Sequence, residues 1–581
     1  MTKKILSFLI IIMSVIMIGC KEDDPVNPPP SQEENTPDKP DQPDEPNEPD
    51  EPENPEPLPT PEGGYRIYAY NNTGWSNLYV YMWGQVNHLN GEWPGMSPTG
   101  TTIFNGYEFF YYEMGEENTG LSENVIFNNK TVQLNEFSYN ITEDIYVEVT
   151  SAYVAKINPD NFTPSAPVTN DGTAVTDMVI YEANPRFFGN NNCLNALAGN
   201  LQRIADLGCN VLWIMPICEP STSSQSIGSP YSIKNYEVMN SRYGTMADLQ
   251  QLVNSAHNLG IKVVLDWVPN HTGWDNPWVT EHPDWFLQEN GKIVSPPGQG
   301  WNDVAQLNYN NPEVGEAMSD VIKYWVNEAN LDGIRFDYAD SPYITPDFWR
   351  TIATELRTIK SDFILLAESS NYVFYNYGFD MIYDWNSAPT ISNGFLKSAA
   401  SEIVKEAENA VSKVPEGDSI LRYVFNHDVL AEKGIDTYFG SIEALPAAYV
   451  CASMLNGTPM IYSGMDATGL TGKHNILKYD QLTFSSTLTP VYNAINEAFK
   501  TTTELRSGTL TNYSSNKIVC FTRTTTTNTL LVAVNVTSGN ESISTPAAVQ
   551  GTTMTDLLNG GTLEMEESIS LGAYEYMILI K

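Results

Sequence analysis

The sequence predicts a multidomain chain built on a parallel (β/α)8 barrel, with one β-module before it and an antiparallel β-domain after it. Three observations predict this architecture. From residue 179 onward, short apolar runs alternate with helical stretches, and eight such runs occur over about 300 residues; alternation of this kind indicates a parallel sheet, and eight units indicate a closed barrel. On both sides of this block the chain reads instead as short strands and turns, the pattern of smaller β-domains. At 581 residues the chain is also too long for one core, so two to four domains are expected. A doubly wound open sheet is the structural alternative for the central block.

Taken in chain order, residues 1–20 read as an export signal. Lys3 and Lys4 precede an almost unbroken apolar run over residues 5–18, too short to span a bilayer comfortably and right for a signal peptide. Residues 21–62 are rich in Pro, Glu, Asp and Asn with no aromatic residue, so they cannot bury a core. Repeated Pro and like-charge repulsion make this segment an extended, semi-rigid stalk.

Residues 63–150 read as a β-sandwich, with turns at Asn90-Gly91, Asn105-Gly106 and Asn128-Asn129. Period two puts Tyr79, Tyr81 and Trp83 on one strand face and Val80 and Met82 on the other. Val80 and Met82 suffice for a core, so the rings are read as a surface, joined by Trp93; Trp83 sits beside them or in the core. Residues 151–176, rich in Asn, Thr, Pro and Ser, form a linker.

The barrel is placed at residues 177–500. Its strand candidates are residues 179–181, 211–214, 261–265, 333–336, 363–366, 381–383, 421–425 and 460–462, with helices over 195–205, 246–259 and 312–329. Residues 271–308 form a short inserted loop domain. The Thr-rich residues 501–581 should form an antiparallel β-domain packed on the barrel.

Composition narrows the partners. A net charge of -41 excludes nucleic acid, because nothing would neutralise phosphates. Twelve Trp and 32 Tyr are more rings than a core needs, and flat rings stack well on sugars. Large β-rich cores are the other explanation for the rings. Beyond Cys20, the residues Cys193, Cys209, Cys218, Cys451 and Cys520 show no metal-like spacing and are read as buried thiols, with at most an incidental disulfide.

Polar residues gather after the strand ends. Asp266, Asn270 and His271 follow the third run, Asp337 ends the fourth, Glu368 the fifth, and His427 and Asp428 the seventh. In a barrel these ends open on one face, where active sites lie. A single acid there is usually a cap or a surface charge; acids at four strand ends are poorly explained that way.

These residues carry a resemblance. The segments 266–271 (DWVPNH), 333–337 (GIRFD), 367–368 (AE) and 425–428 (FNHD) resemble the four ordered signature regions of glycoside hydrolase family 13. Weaker segments at 208–216, 306–309 and 457–462 agree. The resemblance implies a retaining α-amylase cutting internal α-1,4 bonds of starch and maltodextrins. It implies Asp337 as nucleophile, Glu368 as acid and base, and Asp428 as transition-state stabiliser. Arg335 would favour the ionised form of Asp337, His271 and His427 would bind sugar hydroxyls, and Tyr231 would stack below the reactive sugar or anchor its loop. Asp266 would orient neighbours. A retaining mechanism needs two carboxyl groups about 5 Å apart, and adjacent strands suit that separation. The family often has an acid where this chain has Asn235. Many members bind calcium through the residue matched by Asn270, but no obvious carboxylate set completes a shell here, so calcium is left open.

Two further resemblances concern the N-terminal half. The segment 74–83 (GWSNLYVYMW), residues 92–95 (EWPG) and residues 125–129 (VIFNN) look like a starch-binding module of carbohydrate-binding family 26, which implies Tyr79, Tyr81 and Trp93 as stacking rings. Residues 17–20 (MIGC) resemble a bacterial lipobox and residues 21–24 (KEDD) a Bacteroidetes surface-export signal. These imply lipidation at Cys20, an outer-membrane lipid anchor at the cell surface, and by analogy a glycan-uptake complex. An ordinary secretory peptide is the alternative. Other specificities on the same barrel, for pullulan or cyclodextrins, and a non-catalytic starch-binding lipoprotein are the competing functions.

Overall fold

The computed structural model describes residues 64–581, apart from residues 74, 76, 85–87, 121, 131–136, 139–140, 151–153, 158, 160–173 and 469–474. The expected signal peptide, Cys20, the stalk and most of the linker lie outside the described residues.

Eight strands form a closed barrel: Ile180–Ala183, Val211–Ile214, Lys262–Trp267, Gly333–Phe336, Ile364–Ala367, Met381–Tyr383, Ser419–Tyr423 and Thr458–Tyr462. Every neighbouring pair is parallel, and the eighth strand returns to the first through Met460 and Ile180. A closed ring has no edge strand, which rules out the doubly wound sheet. The strands are buried along nearly their whole length, as expected where helices cover the outside and side chains fill the interior.

Helix signals sit where the chain turns away from the barrel. The helix Pro312–Ala329 has Pro in its first turn, and the Asn311 side chain caps it by accepting the Glu313 N–H. The helix Met246–Asn258 starts with a capping box between Thr245 and Asp248. Two expectations shift. The single helix over 195–205 is two, Cys193–Ala198 and Leu201–Asp206, because Gly199 intervenes and the Asn200 amide donates back to the Ala196 carbonyl at 2.9 Å. The seventh strand ends at Tyr423, so His427 and Asp428 do not end it. They open the helix His427–Glu432, which Asn426 caps by accepting the Val429 N–H at 2.9 Å.

The C-terminal six-stranded sheet runs in the order Thr509–Asn512, Ile518–Thr524, Thr529–Asn535, Tyr576–Ile580, Thr553–Asp556, Thr562–Glu564. Its two faces divide by period two. Val519, Phe521, Val532, Val534 and Ile578 join the barrel core, while Cys520, Leu531, Ala533 and Leu579 pack with Ile569 and Leu571 on the other side.

The N-terminal module has a five-stranded and a three-stranded sheet. Tyr65, Ile67, Tyr112 and Val147 of the first share a core with Val80, Met82, Val125 and Phe127 of the second, which makes a sandwich. Asn105 and Gly106 both have positive φ and form the tight turn between Gly100–Phe104 and Tyr107–Met114. All five described cysteines are free and buried. Among the described residues, no helix is long and apolar enough to cross a membrane.

Candidate active site

The site is built around one buried cation. Arg335, on the fourth strand, is fully buried, and its guanidinium reaches three carboxyl groups. Nη1 lies 2.8 Å from Asp266 Oδ1 and 3.2 Å from Asp337 Oδ1. Nη2 lies 3.0 Å from Glu368 Oε2, at an angle that makes an ion pair without a hydrogen bond. Trp213, Tyr231 and Tyr383 present their rings to the guanidinium at 5.1, 5.9 and 5.5 Å. Burial by itself disfavours the charge on Arg335. The surrounding carboxylates, Asp266 first, outweigh it and hold the charge.

The three carboxyl groups differ in setting. Asp266 is buried and fully partnered, accepting from Trp213 Nε1 at 3.2 Å and Tyr231 Oη at 3.1 Å as well as from Arg335. Asp337 and Glu368 lie at the ends of adjacent strands and keep a small opening to solvent. Burial pushes Asp337 up to about 6, against the expectation that Arg335 would dominate: the cost of desolvation exceeds the pull of a cation shared by three acids. Burial, with the neighbouring Asp337 and Asp428, pushes Glu368 up to about 8. Near neutral pH the pair therefore holds one ionised and one protonated carboxyl group, with the proton on Glu368.

Asp428 stands at the rim, half exposed, 3.4 Å from His427 Nε2. His427 is buried, its ring stacked on Tyr231 at 5.3 Å. Nδ1 meets Glu182 Oε1 at 2.6 Å and Nε2 meets Tyr231 Oη at 2.9 Å. Desolvation opposes its charge, but Asp428 and Glu182 overcome it and raise His427 to about 10. His271 is the opposite case: burial lowers it to about 4, so it is neutral. Both of its ring nitrogens have partners, Asn270 Nδ2 at 3.0 Å and the Tyr231 carbonyl at 3.2 Å. Thus Asp337, Glu368, Asp428, Tyr231, Arg335, His271 and His427 all converge on one end of the barrel.

The residues around Asn270 do not fit a calcium site. The Asn270 Oδ1 accepts the Gln306 side-chain amide at 2.8 Å. Among the described residues, no group of three or more His, Cys, Asp or Glu is arranged to hold a metal. Calcium takes six to eight oxygens, and Asn270 Oδ1 is already engaged by an amide donor. Asn235 accepts the Glu237 N–H at 2.9 Å.

Sequence reasoning missed several members. Glu182, at the end of the first strand, is fully buried against His427; its signal was a charge inside the apolar run VIYEA. Tyr338 follows Asp337 with a φ of 42° and aims its N–H at Glu368 Oε2, 2.6 Å away. Trp301 stands 5.0 Å from Tyr338 and 5.6 Å from His271. Trp213 and Tyr383 read as ordinary core residues in sequence.

In the N-terminal module, Tyr79, Tyr81 and Trp83 are half-buried on the face opposite Val80 and Met82, and Trp93 is 43 % exposed. Trp83 lies beside the other rings and outside the core: Tyr81 stands 5.6 Å from Trp83 and 5.5 Å from Trp93. Lys130 covers the Tyr79 ring at 4.8 Å.

The family described as "Alpha amylase, catalytic domain" matches residues 157–527. The α-amylase MalA of Haloarcula japonica is 27 % identical over 66 % of this chain and 58 % of its own length. A cyclomaltodextrinase of Thermoanaerobacter pseudethanolicus is 24 % identical over 61 % of this chain and 65 % of its own. The chain thus spans less than two thirds of either relative. The solved structure of a maltogenic α-amylase, AmyB, from Thermotoga neapolitana superposes with a TM-score of 0.62 at 24 % identity, covering 70 % of this chain and 99 % of that one; it shares the fold.

Proposed function

Because the chain belongs to the α-amylase catalytic-domain family, glycoside hydrolase family 13, we propose that it is a retaining, endo-acting α-amylase that hydrolyses internal α-1,4 bonds of starch and maltodextrins. The observation that carries this reading is the single guanidinium of Arg335 spanning Asp337 and Glu368 on adjacent strands. One cation holding both groups keeps them close, as a double displacement requires.

In the first step the Asp337 carboxylate attacks the anomeric carbon while Glu368 gives its proton to the departing glycosidic oxygen. The glycosidic C–O bond breaks and a glycosyl ester forms on Asp337. In the second step the Glu368 carboxylate takes a proton from water, the water oxygen attacks the same carbon, and the ester breaks. Both groups return to their starting states. Asp428, at the open rim, is placed in this reading to grip hydroxyls of the distorted sugar. Tyr231, backed by His427, supplies the flat ring below it. His271 and His427 bind hydroxyls of the same sugar in this reading, and their ring nitrogens also brace Tyr231 and Asp428.

Tyr79, Tyr81, Trp83 and Trp93 act in this reading as an adhesive surface that raises the local starch concentration. Lipidation of Cys20 would tether the enzyme to the outer surface of the cell and bring it near a glycan-uptake complex.

A second reading keeps the mechanism and changes the substrate to cyclodextrins or pullulan; the likeness to a cyclomaltodextrinase over 61 % of the chain favours it. A product profile from soluble starch, pullulan and a cyclodextrin decides. Rapid viscosity loss with mixed malto-oligosaccharides from starch alone supports the α-amylase; preference for either other substrate replaces it with the second reading. No turnover of any of the three refutes both and leaves a starch-binding protein.

A further inference from the structure

We propose that Gln306 is a positioning residue whose side-chain amide fills the place of a cation beside Asn270 and, through Asn270, sets the tautomer of His271. Gln306 Nε2 lies 2.9 Å from the Asn270 carbonyl, 2.8 Å from Asn270 Oδ1 and 2.8 Å from the Leu307 carbonyl. Three oxygens from two loop segments thus converge on one nitrogen. An amide group has only two hydrogens. Three oxygens converging in this way are what a bound cation gathers, but here the centre is a neutral amide nitrogen whose two hydrogens face them. Gln306 and Asn270 are both fully buried, so no water competes for these bonds.

The orientation of the amide follows from its surroundings. Turning it would set Gln306 Oε1 against three other oxygens, although Oε1 has no partner as it stands. Asn270 Oδ1, engaged by Gln306, leaves Asn270 Nδ2 facing His271 Nδ1 at 3.0 Å. Nδ2 can only donate, so His271 Nδ1 must accept. The His271 proton is then on Nε2, which donates to the Tyr231 carbonyl at 3.2 Å. Tyr231 in turn reaches Asp266 and His427. A chain of hydrogen bonds therefore runs from the inserted loop to the stacking ring of the site. The pairing of His271–Gly273 with Val304–Gln306 places Gln306 directly opposite His271 and holds the two segments in register.

This inference rests on its own geometry and is tested without substrate, so its failure is distinct from failure of the proposed reaction. The full chain is melted in excess EDTA and again in millimolar calcium chloride. The expected result is one Tm within about 1 °C; a larger fall in EDTA, reversed by calcium, overturns the proposal, because a ligand bound to the folded state raises Tm by mass action. The 15N spectrum of His271 is then recorded in the wild type and in Gln306→Met, which keeps the length and removes the donor. The wild type should show the single Nε2–H tautomer. The variant should show a mixture of tautomers, with Tm lowered by at least about 2 °C. A fall in Tm with an unchanged His271 spectrum overturns the positioning role. If the variant does not fold, the wild-type spectrum still decides: an Nδ1–H tautomer or a cationic ring overturns it.

Discussion

The catalytic end of the barrel and the ring-bearing face of the N-terminal module contrast in burial and charge, and under the proposed function they are opposite solutions to carbohydrate contact. At the barrel, three carboxyl groups are pressed together around Arg335, which is itself fully buried. On the module, Tyr79, Tyr81, Trp83 and Trp93 lie half-buried to exposed, and Tyr81 Oη pairs with the exposed His88 Nδ1 at 2.7 Å. The difference follows from what each surface must do. Chemistry needs groups whose protonation is shifted, and only desolvation and close charges shift it. Adhesion needs flat apolar area at low ordering cost, which rings on a rigid strand supply. Charge is worth concentrating where water is excluded; rings are worth exposing where water must be displaced.

The two surfaces should therefore respond differently to substitution. The largest effect belongs to Asp337→Asn, which should lower kcat by roughly 10⁴-fold or more while adsorption to starch granules is retained. Retained turnover would remove Asp337 from the reaction. Next is Glu182→Gln, which leaves the His427 cation buried without its closest partner, 2.6 Å away, and should cost about 3 kcal/mol of stability in urea titration. The sign of its pH dependence is set by His427, raised from 6.5 to about 10 in the fold. The stability it contributes is fully present below pH 6.5 and is lost as pH rises through about 10. Wild type should weaken across that window, and Glu182→Gln should weaken less steeply.

The pH profile of kcat/KM gives a smaller, graded effect. Asp337 must be ionised and Glu368 protonated, so activity should rise through about pH 6 and fall through about pH 8. A profile flat across this range would break the link between burial and chemistry at the barrel end. The smallest effect on hydrolysis is expected from Tyr81→Ala combined with Trp93→Ala. Granule adsorption should fall about tenfold, with short-oligosaccharide hydrolysis within about twofold of wild type. Unchanged adsorption would strip the ring face of its role and leave the comparison with the barrel without its second term.

How much of this was legible in the sequence differs by residue. The eight barrel strands were readable because parallel strands covered on both faces become continuous apolar runs. Asp337 and Glu368 were readable because each ends such a run, and Tyr79, Tyr81 and Trp83 because period two alone separates them from Val80 and Met82. Those features depend on neighbours along the chain. The pairing of Glu182 with His427, 245 residues later, depends on closure of the barrel, which sets the eighth strand beside the first. The neutral state of His271 and the charged state of His427 follow from burial and from carboxylates that only folding brings near. The three oxygens around Gln306 come from Asn270 and Leu307, which the chain separates by 37 residues and the inserted loop rejoins. By itself, then, the sequence determined the architecture and the acids at the strand ends, since both are written in local periodicity. Only the tertiary structure decided which of those acids keeps its proton and what takes the cation's place, because desolvation and long-range contact have no local signature.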